Sequence, residues 1–236
     1  IVPIKGEPFT VTKDHVLTLV RTRECSNPQY PSQRHAGELV DVTVAEWLHW
    51  SESKKHLHKL IRSGAIQVFP AHRNARTEID PYFLGVILGD GCIVHGVSVT
   101  TPDKEIRCVI FQQAELWNLR LRTEPAGKAT TYFLVSDKGR RSNRLVKALR
   151  RLRLYGGRAG DKSVPDAYKY TDLAKRLEIL AGLLDTDGYY IDKGYDYISK
   201  SRRLADDVAF LCRSAGLRAS VKPCIKGYRD FTGAYY

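Results

Sequence analysis

The chain has 236 residues, 43% hydrophobic and 27% charged, which is enough to bury a core in one large domain or two small ones. Its formal net charge of +12 favours a polyanionic partner, because a positive surface gains affinity by displacing counterions from phosphates. Five cysteines without a C-x-x-C pair argue against a disulfide framework or a zinc ribbon. With neither a long apolar run nor a signal peptide, no membrane contact is expected, and the expected location is the cytoplasm, or the nucleus in a eukaryote.

The first part of the chain is predicted to be rich in β-structure. Apolar and polar residues alternate in residues 9–22, and a loop composition follows. Thr43 and Glu46 have capping-box spacing and predict the start of a helix. The basic segment 53–62 is either an added DNA-binding arm or a solvated linker. Because methionine is absent even at position 1, the chain is expected to be an internal or processed piece of a longer protein.

Beyond Pro81 the pattern of elements occurs twice, which predicts an α+β fold with a duplicated unit. The first unit reads as a buried helix at 82–90, a strand at 96–101, a helix at 103–119, strands at 120–124 and 128–136, and a basic helix at 142–156. The second reads as a buried helix at 176–186, strands at 189–194 and 195–201, a helix at 202–217, and strands at 218–225 and 228–236. A counterpart of the basic helix is missing, so the second unit is expected to be truncated.

Each buried helix is predicted to end in a carboxylate. Small residues four apart, Gly85 with Gly89 and Gly182 with Thr186, would let the two helices pack closely and bring Asp90 and Asp187 side by side. Two carboxylates at the negative ends of helices repel each other unless a cation lies between them. Carboxylate and backbone carbonyl oxygens, here those of Gly89 and Thr186, suit Mg²⁺. Taken singly, either Asp-Gly pair is also an ordinary helix stop.

These motifs resemble the paired signature of the LAGLIDADG homing endonucleases. The stretch "LAGLLDTDG" at 180–188 is closely similar to the signature, and "FLGVILGDG" at 83–91 is similar to its looser first form. The stretch "KSVP" at 162–165 resembles the Lys-x-Ile-Pro element of the intein-borne members. The matches cover roughly residues 81–217. The resemblance implies that Asp90 and Asp187 are the metal-binding catalytic acids and that Lys162 is the catalytic basic residue near the scissile phosphate. Asp185 has no acidic counterpart, because Leu88 occupies the matching position.

A second resemblance concerns the first segment. "FTVTKDHVLTLVRT" is similar to the Thr-x-x-His block of the intein splicing (Hint) domain, which implies that Thr12 and His15 are remnants of a splicing site. The implied organisation is a partial Hint segment with a basic helical extension at 1–72 and an endonuclease domain at 81–236, with halves 81–165 and 172–236. Because the chain starts at Ile1 and ends at Tyr236, without splice-junction residues, splicing is not expected from it as given.

The endonuclease resemblance also implies a fold and a partner. Two pseudo-symmetric αββαββα halves would form a saddle over a long asymmetric target in double-stranded DNA, in a monomer with an internal pseudo-two-fold axis. Candidate DNA-binding side chains are Ser98, Thr100, Arg144, Lys147, Lys193, Tyr195, Tyr197 and Lys200. Lys193 and Lys200 are also the substitutes available for the basic residue of the second half.

The leading hypothesis is therefore a Mg²⁺-dependent, site-specific double-strand DNA endonuclease inside an intein, with a host extein protein as its partner in the precursor. One alternative is a LAGLIDADG protein that binds DNA or RNA without cleavage, such as a maturase. Another is a fragment that acts chiefly as part of a protein-splicing element.

Overall fold

The computed structural model describes residues 1–3, 8–23, 35–61, 64–69, 77–192, 194–228 and 231–236. The chain forms two compact units, Ile1–Ser63 and Gly64–Tyr236. Residues 64–69, which the sequence groups with the first segment, belong to the second unit: the amide of Ile66 donates to the carbonyl of Ser214, and the amide of Leu173 donates to that of Gln67. The assignment of a Hint segment and an endonuclease domain to these units stays a prediction, and residues 70–76 of the predicted linker lie outside the described residues.

The first unit is built on a three-stranded antiparallel sheet in the order β2-β1-β3. Its strands are Val16–Arg21 (β1), Leu39–Thr43 (β2) and His58–Leu60 (β3). The predicted capping box is confirmed, because the amide of Glu46 donates to the Thr43 hydroxyl at 3.2 Å and the amide of Thr43 donates to the Glu46 carboxylate at 2.9 Å. Helix α1, Val44–Leu48, starts there. The core of this unit is small, with Leu17, Leu19 and Val42 buried.

The basic segment that follows is folded into this unit. Its residues form helix α2, Glu52–Leu57, and then strand β3, which pairs with β1. The ammonium group of Lys54 lies 3.8 Å from the centre of the Trp50 ring, a cation–π contact. The described part of the segment is therefore part of the fold of this unit, and whether its exposed basic side chains contact DNA stays a prediction.

The second unit begins with a four-stranded antiparallel sheet in the order β4-β5-β7-β6. Its elements are α3 (Pro81–Leu88), β4 (Gly91–Cys92), β5 (Ser98–Thr101), α4 (Lys104–Leu116), β6 (Arg120–Ala126), β7 (Ala129–Val135) and α5 (Arg144–Arg151), with 3-10 turns at Arg140–Ser142 and Ala159–Asp161. Alternate residues face the helices, so Val99, Tyr132 and Leu134 share one core with the helices. The opposite face carries polar and charged side chains beside Phe133 and Val135.

The two buried helices predicted from the sequence form the centre of the second unit. Helix α3 starts at an Asp80 cap and Pro81, which suits the first helical position, and helix α7, Leu173–Asp187, starts at an Asp172 cap. A side chain at Gly85 would place its Cβ 3.0 Å from the Cα of Gly182 and would overlap the carbonyl oxygen of Ile179. The predicted close packing of two small-residue helix faces is therefore confirmed.

The remaining strands form two separate pairs. They are β8 (Gly188–Ile191) with β9 (Gly194–Tyr197), and β10 (Cys224–Tyr228) with β11 (Phe231–Tyr235); α6 (Asp166–Lys169) precedes α7, and α8 (Arg202–Ser214) separates the two pairs. Two backbone hydrogen bonds of 2.9 Å join Ser199 to Tyr236. The strand predicted at 218–225 is wrong before Cys224, and Pro223 has no N–H to donate to a ladder. Since the first four strands form one sheet and these form two pairs, the pseudo-symmetry of the halves stays a prediction.

Within the described ranges, the structure contains no helix that is both long and apolar enough to cross a membrane.

Candidate active site and nucleic-acid interface

The C-terminal ends of α3 and α7 meet, so that two carboxylates lie near enough for the charge of one to affect the other. Asp187 is the last residue of α7, and Asp90 follows α3 by two residues. A Cβ on Gly89 would overlap the side chain of Thr186 and would lie 3.4 Å from an oxygen of Asp187. Because Gly89 has no side chain, the two helix ends can approach this closely.

Both carboxylates have raised pKa values. Burial, and then the neighbouring Asp90, raise the pKa of Asp187 to about 6, against an opposing effect of Lys162. Burial also raises the pKa of Asp90, and Lys162 again opposes it. Such a pair gains from a cation, since burial disfavours the charged form of both acids and Lys162 offsets this effect only in part.

Lys162 is buried against the end of α3. Its Nζ donates to the carbonyl oxygens of Gly89 at 2.7 Å, Gly91 at 2.8 Å and Ile87 at 3.3 Å. Burial lowers the pKa of Lys162, while the Asp187 and Asp90 charges raise it. An ammonium group has three N–H donors, and all three are used here. In the structure Lys162 caps the negative end of α3 close to both acids, and its place near the scissile phosphate stays a prediction.

The residues at the helix ends fit a hard divalent cation. Asp90 and Asp187 supply carboxylate oxygens, and no cluster of three or more His, Cys, Asp or Glu side chains suited to a metal occurs in the described part of the chain. Mg²⁺ commonly takes one or two carboxylates and keeps several waters, so two acids are enough. Of the other predicted ligands, the Gly89 carbonyl accepts from Lys162, and a role for the Thr186 carbonyl stays a prediction. The Thr186 hydroxyl bonds back to the carbonyls of Gly182 and Leu183 in its own helix.

The second acid of the α7 motif has a different environment. Asp185 is exposed and accepts a hydrogen bond of 2.8 Å from the Tyr82 hydroxyl, which lies on α3. It therefore links the two helices by their side chains, one helical turn away from Gly182. The sequence distinguishes Asp185 from Asp187, but it does not predict this contact, because the partners are 103 positions apart.

The outer face of the four-stranded sheet is a candidate surface for DNA. Ser98 and Thr100 lie on this face, because Val99 and Thr101, which alternate with them along β5, are buried on the other face. The strand register places Phe133 and Arg122 in line with Ser98, and Thr131 in line with Thr100. Sequence reasoning missed these three side chains. The alternating pattern in "RLRTE" was the available signal, because it places Arg120 and Arg122 on one face.

The other predicted DNA-binding residues are dispersed. Arg144 and Lys147 are exposed on α5, in the helical layer and not on the sheet face. Tyr195 and Lys200 are exposed, whereas Tyr197 packs against the core, and burial and the Asp187 charge raise its pKa. Tyr197 is therefore not placed to touch a base. Lys193 lies outside the described residues.

Thr12 and His15 lie together in the first unit. The amide of His15 donates to the carbonyl of Thr12 at 3.3 Å, which closes a turn directly before β1, and both side chains are exposed. This geometry places the two residues at one end of the sheet. Their role in a splicing site stays a prediction.

The chain is similar to proteins of two kinds. No protein-family model matches it. A stretch of 141 residues is 33% identical to a replicative DNA helicase DnaB of Mycobacterium intracellulare, covering 59% of this chain and 19% of that protein. The chain thus spans about a fifth of the length of the curated relative that it matches.

Among solved structures, mesophilic variants of the homing endonuclease I-DmoI align with 66% of this chain and 84% of theirs, at 15% identity and a TM-score of 0.44. I-DmoI in complex with DNA and Mn aligns with 66% of this chain and 85% of its own, at 16% identity and a TM-score of 0.42. I-DmoI in complex with DNA and Ca aligns with 66% of this chain and 79% of its own, at 15% identity and a TM-score of 0.44. Because these identities and TM-scores are low, the function must rest on the residues of this chain.

Proposed function

We propose that the second unit is a site-specific double-strand DNA endonuclease of the LAGLIDADG homing class that uses Mg²⁺. The observation that carries the proposal is the pair Asp90 and Asp187, held together at the ends of two helices that pack backbone to backbone. Ordinary helix stops do not require two carboxylates whose pKa values are raised by shared burial. The net charge of +12 and the polar sheet face with its arginines favour DNA as the substrate.

The residues of the site would divide the work of phosphodiester hydrolysis. A bound divalent cation would stabilise the charge that develops on the phosphate and its leaving oxygen. Asp90 and Asp187 would hold the cation and accept hydrogen bonds from the attacking water. Lys162 would hold the carbonyls of Ile87, Gly89 and Gly91 at and just beyond the end of α3, and its positive charge would limit the repulsion between the acids. The sheet face that carries Ser98, Thr100 and Arg122 would orient the duplex.

We further propose that this chain is part of an intein in a DnaB-type helicase, which would be its host extein protein. A local match to about a fifth of a replicative helicase is what an inserted element common to both proteins would give. The turn that carries Thr12 and His15 is the part of the first unit that such a splicing origin would explain. The duplex target would then be the helicase gene without the inserted element. A cytoplasmic location of the protein is also part of this proposal.

The test compares two acids of the same helix, two positions apart. Asp187→Asn should reduce cleavage of a plasmid carrying the uninterrupted helicase gene by about a hundredfold or more in Mg²⁺, since it removes one of two carboxylate ligands. Asp185→Asn, which alters only the contact with Tyr82, should cleave within about threefold of the parent chain. Calorimetric titration of each variant with Mg²⁺ should show weaker binding for Asp187→Asn alone.

Two outcomes would contradict the proposal: equal loss of activity in both variants, or cleavage that persists in EDTA. Tight binding to the duplex without nicking by the parent chain would instead identify a non-cleaving DNA-binding protein. That alternative has one observation in its favour, which is that all three donors of Lys162 are already used within the protein.

A further inference from the structure

One segment of the second unit, here called the strap, holds α3 at both ends. The strap is defined as residues 162–169. At its beginning, Lys162 donates to the carbonyls of Ile87, Gly89 and Gly91 at the C-terminal end of α3. Near its end, the buried Tyr168 hydroxyl donates to the Ile79 carbonyl at 2.8 Å and accepts from the Ile79 amide at 2.9 Å, just before α3 starts. The strap therefore spans the helix that leads to Asp90.

The same strap is fixed to α8. The buried carboxylate of Asp207 accepts from the amide of Val164 at 2.8 Å with one oxygen and from the ammonium group of Lys169 at 2.8 Å with the other. The side chain of Asp207 is only 8% exposed and that of Lys169 is 11% exposed. The hydroxyl of Ser201, the cap of α8, donates to the Lys162 carbonyl at 2.7 Å. The Asp207 carboxylate and the Ser201 hydroxyl, which fix the strap to α8, thus both have hydrogen-bond partners in the strap.

We propose that the strap couples α8 to α3, so that Asp207 and Tyr168 are positioning residues that set where Asp90 lies relative to Asp187. Asp207 touches neither acid and would act only through Lys162 and its neighbours. The buried contacts favour this role over a purely stabilising one, because they all lead to the two ends of a single eight-residue helix. The functional meaning of the proposal rests on the nuclease function proposed above.

The test is amide hydrogen exchange of the parent chain and of two single variants. Tyr168→Phe deletes both hydrogen bonds to Ile79. Asp207→Asn replaces one carboxylate oxygen by an NH₂ group, which cannot accept the hydrogen bond from Val164 or Lys169 that it faces. In each variant, exchange in α3 should rise about tenfold more than exchange in α4, because the loss of charged or buried hydrogen bonds at the strap loosens α3 first.

Control variants come from the same elements. Asp206→Asn, at the exposed position next to Asp207, and Lys104→Met, at an exposed position of α4, should leave the ratio of α3 to α4 exchange unchanged. Lys162→Met should raise the ratio as Asp207→Asn does, and the double variant should exceed either single variant only slightly, because both act through one group. Equal acceleration of α3 and α4, or full additivity of Lys162→Met and Asp207→Asn, would overturn the proposal.

A second readout separates this proposal from the nuclease function. If the parent chain cleaves DNA, Asp207→Asn should lower the single-turnover rate by about tenfold with little change in the Kd for the duplex. If the parent chain does not cleave, the nuclease function fails, and the exchange measurement still decides whether the strap positions α3.

Discussion

At the scale of single residues, the three carboxylates of the paired motifs have two kinds of environment: Asp90 and Asp187 lie near each other and Lys162, and Asp185 lies apart from them. The sequence separates Asp187 and Asp90 from Asp185 by alignment of the two motifs, and Asp185 is indeed exposed and bonded to Tyr82. The sequence also brings Lys162 into the neighbourhood of the acids, but not its three carbonyl partners. That contact depends on how a loop folds across α3, and no local pattern in the sequence records it.

The raised pKa of Asp187 predicts how stability depends on pH in EDTA. The unfolded chain binds this proton near 3.8 and the folded chain near 6, so between these values the folded state holds more protons and loses stability as pH rises. Asp187→Asn removes this loss. The variant should therefore be more stable than the parent by about 1 kcal/mol at pH 7, after allowance for solvent screening, and closely similar at pH 4.

Urea unfolding of both proteins at the two pH values measures this difference. A difference of equal size at both values would contradict the assignment, since it would then arise from packing and not from the proton. Mg²⁺ should reverse the order at pH 7, because it binds the folded parent through both acids.

At the scale of elements, the order of helices and strands in the second unit follows the sequence patterns well. Both buried helices, the three other predicted helices and the hairpin of β6 and β7 lie where the sequence patterns predict them, with ends shifted by a few residues. The errors occur where tertiary contacts decide. Tyr197 alternates like an exposed strand residue but packs into the core, and residues 218–223 alternate without forming a strand.

The glycine contact between α3 and α7 gives a sharp prediction at this scale. Gly85→Ala should lower the free energy of unfolding by about 2–3 kcal/mol, because its Cβ would overlap the backbone of α7. Gly96→Ala is the matched control, since a Cβ there meets no atom within 4 Å, and it should change stability by less than about 0.5 kcal/mol. Chemical denaturation of the two variants measures both effects, and equal stability losses would contradict the close packing.

At the scale of the whole molecule, the sequence gives the sign of the charge but not its distribution. A run of basic residues from 138 to 162 marks α5 as the obvious DNA contact, yet α5 belongs to the helical layer. The arginines of β6, which stand out less in composition, lie on the outer face of the sheet with Ser98 and Thr100. A charge count cannot make this distinction, because it depends on which face of each element the core covers.

The salt dependence of DNA binding tests that distribution. Arg122→Ala should reduce the slope of log K against log salt by about 0.9, the value for one lost phosphate contact. Arg144→Ala, which removes the same charge from α5, should leave the slope unchanged. Fluorescence anisotropy with a mixed-sequence duplex at several salt concentrations measures both slopes. Equal reductions would place DNA on the helical layer as well.

The backbone contact at Gly85 and Gly182 also bears on how such a nuclease evolves. Side chains at an interface can be exchanged one by one, whereas a contact made of main-chain atoms leaves almost no room for drift. If the second unit is the nuclease proposed above, this backbone contact would fix the spacing of the two acids, and with it the distance between the two cuts. Substitutions on the sheet face would remain free to alter which sequence is bound. A lineage of such chains could then change its target and still leave DNA ends of the same overhang length.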